Sequence, residues 1–119
     1  MLGITFLLDG HPAEALKISQ TSTHEVFRLH GAGLAEYDLG HRQESERQLA
    51  RLIDQYAFGA AYQVAEVYAW RGDKDRALKW LQRARAQHDP GMLSLKIDPL
   101  LGKLNGDPRY AAMLRSVNL

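Results

Sequence analysis

Apolar residues recur along this chain at the three- and four-residue spacing of amphipathic helices, and short polar turns separate the apolar stretches. No segment alternates cleanly with the two-residue period of a strand. The pattern therefore predicts an all-α fold. The predicted helices lie near residues 2–9, 12–21, 24–39, 42–56, 58–71, 74–87 and 108–117.

A glycine follows three of these helices at a nearly constant interval. Gly10, Gly40 and Gly72 are 30 and 32 residues apart, and a small residue stands five positions after each of them. Glycine suits a helix end because it adopts a left-handed backbone conformation without steric cost. Repetition at this interval is typical of stacked helical hairpins, whose units bury their apolar faces only against neighbours. The pattern indicates binding rather than catalysis.

The last thirty or so residues follow a different pattern. Asp98-Pro99 and Asp107-Pro108 each offer a capping carboxylate and a proline at the first helical position, which predicts a short helical turn and then a final helix. Apolar side chains recur at helical spacing in that final helix, which would cover the last exposed face of the stack. They are Tyr110, Met113, Leu114 and Val117.

Composition narrows the class of protein. The chain has 119 residues, of which 45% are hydrophobic and 24% charged, as expected for one globular domain. The formal net charge of +1 gives no overall attraction to nucleic acid or anionic lipid, and the absence of cysteine excludes disulfides and thiolate metal sites. The apolar start at residues 1–8 has no basic leader and is too short to span a membrane, so we expect a cytoplasmic protein.

The segment 58–91 resembles a tetratricopeptide repeat (TPR) in the order and spacing of its small and apolar residues. These residues are Ala61, Val64, Ala65, Tyr68, Gly72, Ala77, Leu81 and Ala84. A degenerate copy spans 26–57, with Leu29, Ala32, Gly33, Gly40, Ser45, Leu49 and Leu52, and a partial copy spans 1–21, with Gly3, Phe6, Gly10 and Ala15. The resemblance implies a right-handed superhelix of antiparallel helical hairpins, closed by a C-terminal cap over 92–119.

The run from Tyr62 to Ala69, with Asp98-Pro99-Leu100-Leu101 and Asp107-Pro108-Arg109-Tyr110, resembles the C-terminal TPR region of bacterial multidomain signalling proteins. Those proteins join such repeats to adenylate cyclase, winged-helix or kinase domains. The resemblance implies that this chain is a fragment of a longer protein and a non-catalytic module that binds a partner peptide or a sister domain in signalling.

Motifs for catalysis and ligand binding are weak. His11, His24, His30, His41 and His88 never occur at the i, i+4 spacing of a helical metal site. His30-Gly31-Ala32-Gly33 lacks the nucleophile elbow of a hydrolase, and close helix packing by its glycines is the simpler interpretation. We expect no catalytic residue, metal or cofactor; a small helical hydrolase or metal-dependent enzyme is the alternative.

In the TPR fold, helix A of each repeat lines a concave groove, which implies two sets of partner-binding residues here. They are Phe27, His30, Leu34 and Tyr37 from one helix and Tyr62, Gln63, Glu66 and Trp70 from the next. Aromatic side chains in a groove suit a protein or peptide partner because they bury a large area at little entropic cost. The competing interpretation is that several of these side chains are core residues.

Two further surfaces follow from the pattern. Ile4, Phe6 and Leu7 belong to a truncated repeat and would form an uncovered apolar edge, which predicts a homodimer. Arg76, Lys79 and Arg83 form a basic stripe on one predicted helix. A stripe this short is most simply a solvated face, so contact with nucleic acid is a minor alternative.

Overall fold

The computed structural model describes residues 2–117, and all regular secondary structure in this range is helical. The all-α prediction is therefore confirmed. The α-helices are α1 (Leu2–Leu8), α2 (Pro12–Gln20), α3 (Glu25–Asp38), α4 (Arg42–Tyr56), α5 (Ala61–Trp70), α6 (Lys74–Ala86) and α7 (Pro108–Ser116). Two 3-10 turns, the first at Pro90–Ser94 and the second at Pro99–Leu104, precede α7.

The predicted helix ends have the backbone geometry that their residues favour. Gly10, Gly40 and Gly72 have φ angles of 81°, 83° and 83° respectively, in the left-handed region where a side chain would be strained. Asp73 caps α6 by accepting a hydrogen bond from the backbone N–H of Arg76. The recurring glycines are therefore helix terminators.

Most helix ends lie within one residue of the prediction, but two features differ more. Helix α5 begins at Ala61 rather than at 58, because residues 57–59 form a turn that leaves the Phe58 side chain 77% exposed. Asp89-Pro90 starts a helical turn of its own, in which the Asp89 carboxylate accepts from the Gly91 N–H. It repeats the capping chemistry of the two later Asp-Pro pairs.

The chain divides into two compact units, Met1–Ala57 and Phe58–Leu119. In the first unit, α1 packs against α2, α2 against α3, and α3 against α4. The Ser45 hydroxyl of α4 donates a 2.6 Å hydrogen bond to the Gly33 carbonyl of α3. A backbone group in the interior of a helix thus helps to join α3 and α4.

In the second unit, α5 packs against α6 and against both 3-10 turns. The buried residues form one apolar cluster that includes Tyr110 and Met113 of α7, while Leu114 and Val117 pack against it partly buried. The Tyr110 hydroxyl donates a 2.8 Å hydrogen bond to the Leu95 carbonyl between the 3-10 turns. The predicted final helix and its apolar face are confirmed.

Candidate functional site

An apolar pocket of about 280 Å³ lies in the first unit, between α1, α2 and α3. Its described lining carries no charged side chain. His30, Ser19 and Ser22 supply the polar side chains. The remaining lining residues are apolar or glycine: Gly3, Ile4, Leu7, Ala15, Ile18, Phe27, Gly31 and Leu34.

Close contact between α2 and α3 shapes one wall of this pocket. A Cβ atom added to Gly31 would lie 2.1 Å from the Ser19 Oγ and 2.9 Å from the Ser19 Cβ. The Ser19 hydroxyl donates a 3.0 Å hydrogen bond to the Ala15 carbonyl, so the polar atom is satisfied within α2. Two small residues therefore let the helices approach, as the glycine-rich segment predicts.

Three of the four α3 residues predicted to bind a partner line this pocket. Leu34 and His30 are buried in its wall, and Phe27 is 45% exposed. The Phe27 ring meets the His24 ring edge to face, with centroids 5.7 Å apart. The fourth residue, Tyr37, does not line the pocket and lies beneath the Arg42 guanidinium, 4.1 Å from the ring centroid.

The predicted N-terminal edge contributes to the same pocket. Ile4 and Leu7 both line it. Leu7 is only 3% exposed, which corrects its placement on an uncovered edge, and its helix α1 packs against α2 and α3. Phe6 is half-buried beside His11, whereas Leu8 is 43% exposed. Ile18, Ser19 and Ser22 were not predicted to belong to a site. The small residues Ala15 and Ser19, four positions apart, were the available signal in the sequence.

The α5 residues predicted to bind a partner occupy different environments in the second unit. Tyr62 is 3% exposed and Glu66 is 7% exposed. Both are therefore interior residues of this unit and not part of a contact surface, which corrects the prediction. Gln63 is half-buried. Trp70 is also half-buried; the Lys103 ammonium donates a 2.6 Å hydrogen bond to its carbonyl and lies 5.9 Å from its ring centroid.

The burial of Tyr62 follows from contacts made by two capping aspartates. The Tyr62 hydroxyl donates a 2.7 Å hydrogen bond to Asp98, and its backbone N–H donates a 3.1 Å hydrogen bond to Asp89. Gly91 packs on the Tyr62 ring so closely that an added Cβ would lie 2.5 Å from the ring. These contacts fasten α5 to both 3-10 turns.

Glu66 joins this cluster as a third carboxyl group. Burial raises the pKa of Glu66 well above its usual value, and the hydrogen bond to Asp98 and the charges of Asp98 and Asp89 raise it further. Burial and the same Asp98 also raise the pKa of Tyr62. Glu66 is therefore neutral over a wider pH range than an exposed glutamate.

The predicted basic stripe lies exposed on α6. Arg76 pairs with Asp73 at 3.1 Å, and the Arg83 guanidinium lies over the Trp80 ring at 4.6 Å from its centroid. Lys79 lies exposed between them. Two of the three cations thus have intramolecular contacts, which agrees with a solvated helix face.

Residues 2–117 contain no group of three or more histidine or acidic side chains placed to hold a metal ion. None of the helices in the same range combines the length and apolar character needed to cross a membrane. No family model, curated protein or solved structure matches this chain.

Proposed function

We propose that this chain is a non-catalytic interaction module whose first unit binds a partner segment through the apolar pocket. The observation that supports the proposal is the convergence of Ile4, Phe27 and Leu34 on one cavity. The sequence predicts Ile4 on the N-terminal edge and Phe27 and Leu34 in a separate groove. Their convergence gives the predicted partner-binding residues a concave site within the first unit.

The size and lining of the pocket suit one large apolar side chain. A cavity of about 150 Å³ holds benzene, and this pocket measures about 280 Å³. It can therefore accept a Leu, Phe or Trp side chain of a partner. Burial of such an anchor is worth roughly 1.5–3 kcal/mol from apolar area alone, and the exposed Phe27 ring extends the apolar surface beyond the pocket.

The polar groups of the pocket favour this occupant over a polar small molecule. Small-molecule sites fix their ligands with several convergent polar groups. Here Ser19 uses its hydroxyl hydrogen in α2, and the described lining residues include no aspartate, glutamate, lysine or arginine. A hydrolase would need a serine oriented by a base and a third group, so the Ser19 contact also gives the enzymatic alternative no support.

The resemblance to TPR regions of signalling proteins supports the same function. In such an assembly the module would hold a partner peptide or a sister domain and so regulate an effector. Partner binding through one apolar anchor is compatible with this role because anchors at the centre of an interface dominate the binding energy.

The proposal can be tested by selecting 12-residue peptides from a random library against the full chain. We expect enriched peptides to share one large apolar residue and to shift the backbone amide NMR signals of the pocket-lining residues. Phe27→Ala should weaken the selected peptides by about 2 kcal/mol, which is about thirtyfold in Kd. This variant should retain its helical circular dichroism because Phe27 is already 45% exposed.

Phe58→Ala is the matched control, since Phe58 is an exposed phenylalanine of the second unit that does not line the pocket. It should leave peptide affinity unchanged. Equal affinities of wild type and Phe27→Ala for every selected peptide, or shifts confined to residues outside the pocket, would reject the proposed site.

A further inference from the structure

The second unit contains a buried set of acidic groups that partner binding in the first unit does not use. Asp98 accepts hydrogen bonds from the Tyr62 hydroxyl and from the Leu100 N–H, at 2.7 and 2.9 Å. Asp89 accepts from the Tyr62 and Gly91 N–H groups, at 3.1 and 2.8 Å. These hydrogen bonds fix both carboxyl groups beside Tyr62.

Glu66 faces these two fixed carboxylates from α5. It lies four residues after Tyr62 on the buried face of α5 and is 7% exposed. The hydrogen-bonded Asp98 and the charge of Asp89 both raise its pKa. Tyr110 of α7, which is also an acid, further raises the pKa of Tyr62. The residues of α6 that share the buried cluster with α5 are apolar: Ala77, Leu78, Leu81 and Ala84. A proton on Glu66 therefore removes the repulsion between its carboxyl group and those of Asp98 and Asp89.

We propose that Glu66 is a proton-operated latch on the second unit. While its carboxyl group carries a proton, it donates a hydrogen bond to the Asp98 carboxylate and holds α5 against the 3-10 turns. When that proton leaves for solvent, a third negative charge appears beside Asp98 and Asp89, and the turns separate from α5.

The sign of the pH dependence follows from the raised pKa of Glu66 in the folded state. Closure is fully stabilised below the ordinary glutamate pKa of about 4.3. That stabilisation decreases as pH rises toward the folded pKa of Glu66, because the open form loses its proton first. Opening releases one proton, so the opening equilibrium constant should rise tenfold per pH unit within this window.

The segment that the latch would release, residues 90–104, carries both buried and exposed apolar side chains. Within residues 90–104, Leu95 and Leu101 are buried, whereas Leu93 and Ile97 are 74% and 80% exposed. Opening would therefore add buried leucines to an apolar surface that is already partly exposed. Loss of the proton would increase the apolar surface available for association.

Amide hydrogen exchange of residues 90–104 on the full chain tests the latch, after correction for the intrinsic pH dependence of exchange. Protection in the wild type should fall tenfold per pH unit between pH ~5 and the folded pKa of Glu66. Glu66→Gln keeps a neutral donor, so its protection should not depend on pH in that window. Glu14→Gln, at an exposed glutamate of α2, is the matched control and should behave like the wild type.

A carboxyl carbon NMR titration of the wild type tests the same idea without a substitution. Glu66 should titrate well above the exposed glutamates. Titration of Glu66 with the exposed residues, or equal pH slopes of protection in wild type and Glu66→Gln, would overturn the proposal. Restoration of protection by Ca²⁺ at pH 8 in wild type but not in Glu66→Gln would also overturn it, because the cluster would then hold a cation instead of a proton.

Discussion

Replacement of Gly31 by alanine tests the helix contact that forms the pocket wall. The new methyl group would meet the Ser19 Cβ at 2.9 Å, well inside ordinary carbon–carbon contact at about 3.5–4.0 Å. Rotation of the Ser19 side chain moves its Oγ but not its Cβ. Helices α2 and α3 must therefore separate by roughly 0.5–1 Å to admit the methyl group.

Two opposing effects decide how much Gly31→Ala changes the free energy of unfolding. Overpacking a close contact costs roughly 1–3 kcal/mol, while exchanging glycine for alanine inside a helix gains up to about 1 kcal/mol. Because the clash involves a Cβ atom rather than the end of a flexible side chain, the overpacking should exceed the helix gain. We expect Gly31→Ala to lower the free energy of unfolding by about 1–2 kcal/mol.

Urea unfolding followed by far-UV circular dichroism measures this change, and a double-mutant cycle assigns it. Ser19→Gly removes the obstructing atoms, so Gly31→Ala in that background should be neutral or stabilising. Gly3→Ala is the control in the same unit, since its methyl group would meet Ile18 at an ordinary 3.5 Å. An unchanged or higher unfolding free energy in Gly31→Ala alone would refute the close approach of these helices.

Three other outcomes follow from the structure. Ala77→Leu should lower the free energy of unfolding by about 1–3 kcal/mol, because Ala77 is fully buried in the second unit; urea titration measures it. The side chain and N–H of Arg109 lower the pKa of Asp107 to about 2. The wild type should therefore have a higher urea midpoint than Asp107→Asn above pH ~4, and this difference should disappear as pH falls toward ~2. If the N-terminal edge forms a homodimer, light scattering at tens of micromolar should give a dimer mass that Phe6→Glu, but not Lys79→Glu, reduces; a monomeric wild type would contradict it.

Local chemistry explains why most helix boundaries could be predicted. Gly72 ends α5 because its φ angle is positive, and Asp98 and Asp107 start helical elements because their carboxylates accept nearby N–H groups. Each of these interactions is contained within a few residues. The start of α5 was misplaced because the apolar side chain of Phe58 resembles a helix core residue, although it is exposed in a turn.

The candidate site was less predictable because its residues meet through distant parts of the chain. The resemblance to a TPR helix implied that Phe27, His30 and Leu34 share a groove, but the sequence did not indicate that Ile4 would lie in the same cavity. The failure at Tyr62 has a similar cause: its hydroxyl bonds to Asp98, 36 residues away. The sequence alone does not reveal this distant acceptor, so a tyrosine on a helix was taken to lie at a contact surface.

Polar capping is distributed unevenly between the two units. The N-cap residues of α2, α3 and α4 are His11, His24 and His41, and none of them makes a side-chain capping bond. In the second unit, Asp73 caps α6, and aspartates cap both 3-10 turns and α7, although α5 has no such cap.

This difference gives the pocket an energetic role in the first unit. Each side-chain cap contributes about 1 kcal/mol to helix stability, so the first unit depends more on contacts between apolar helix faces. Leu7 and Leu34 make part of that contact surface and also line the pocket. A partner side chain that fills the pocket would pack against the same residues that hold α1 and α3 in place. Binding would therefore stabilise the fold of the first unit by mass action. The affinity for the partner would in turn depend on how fully α1 is held in its folded position.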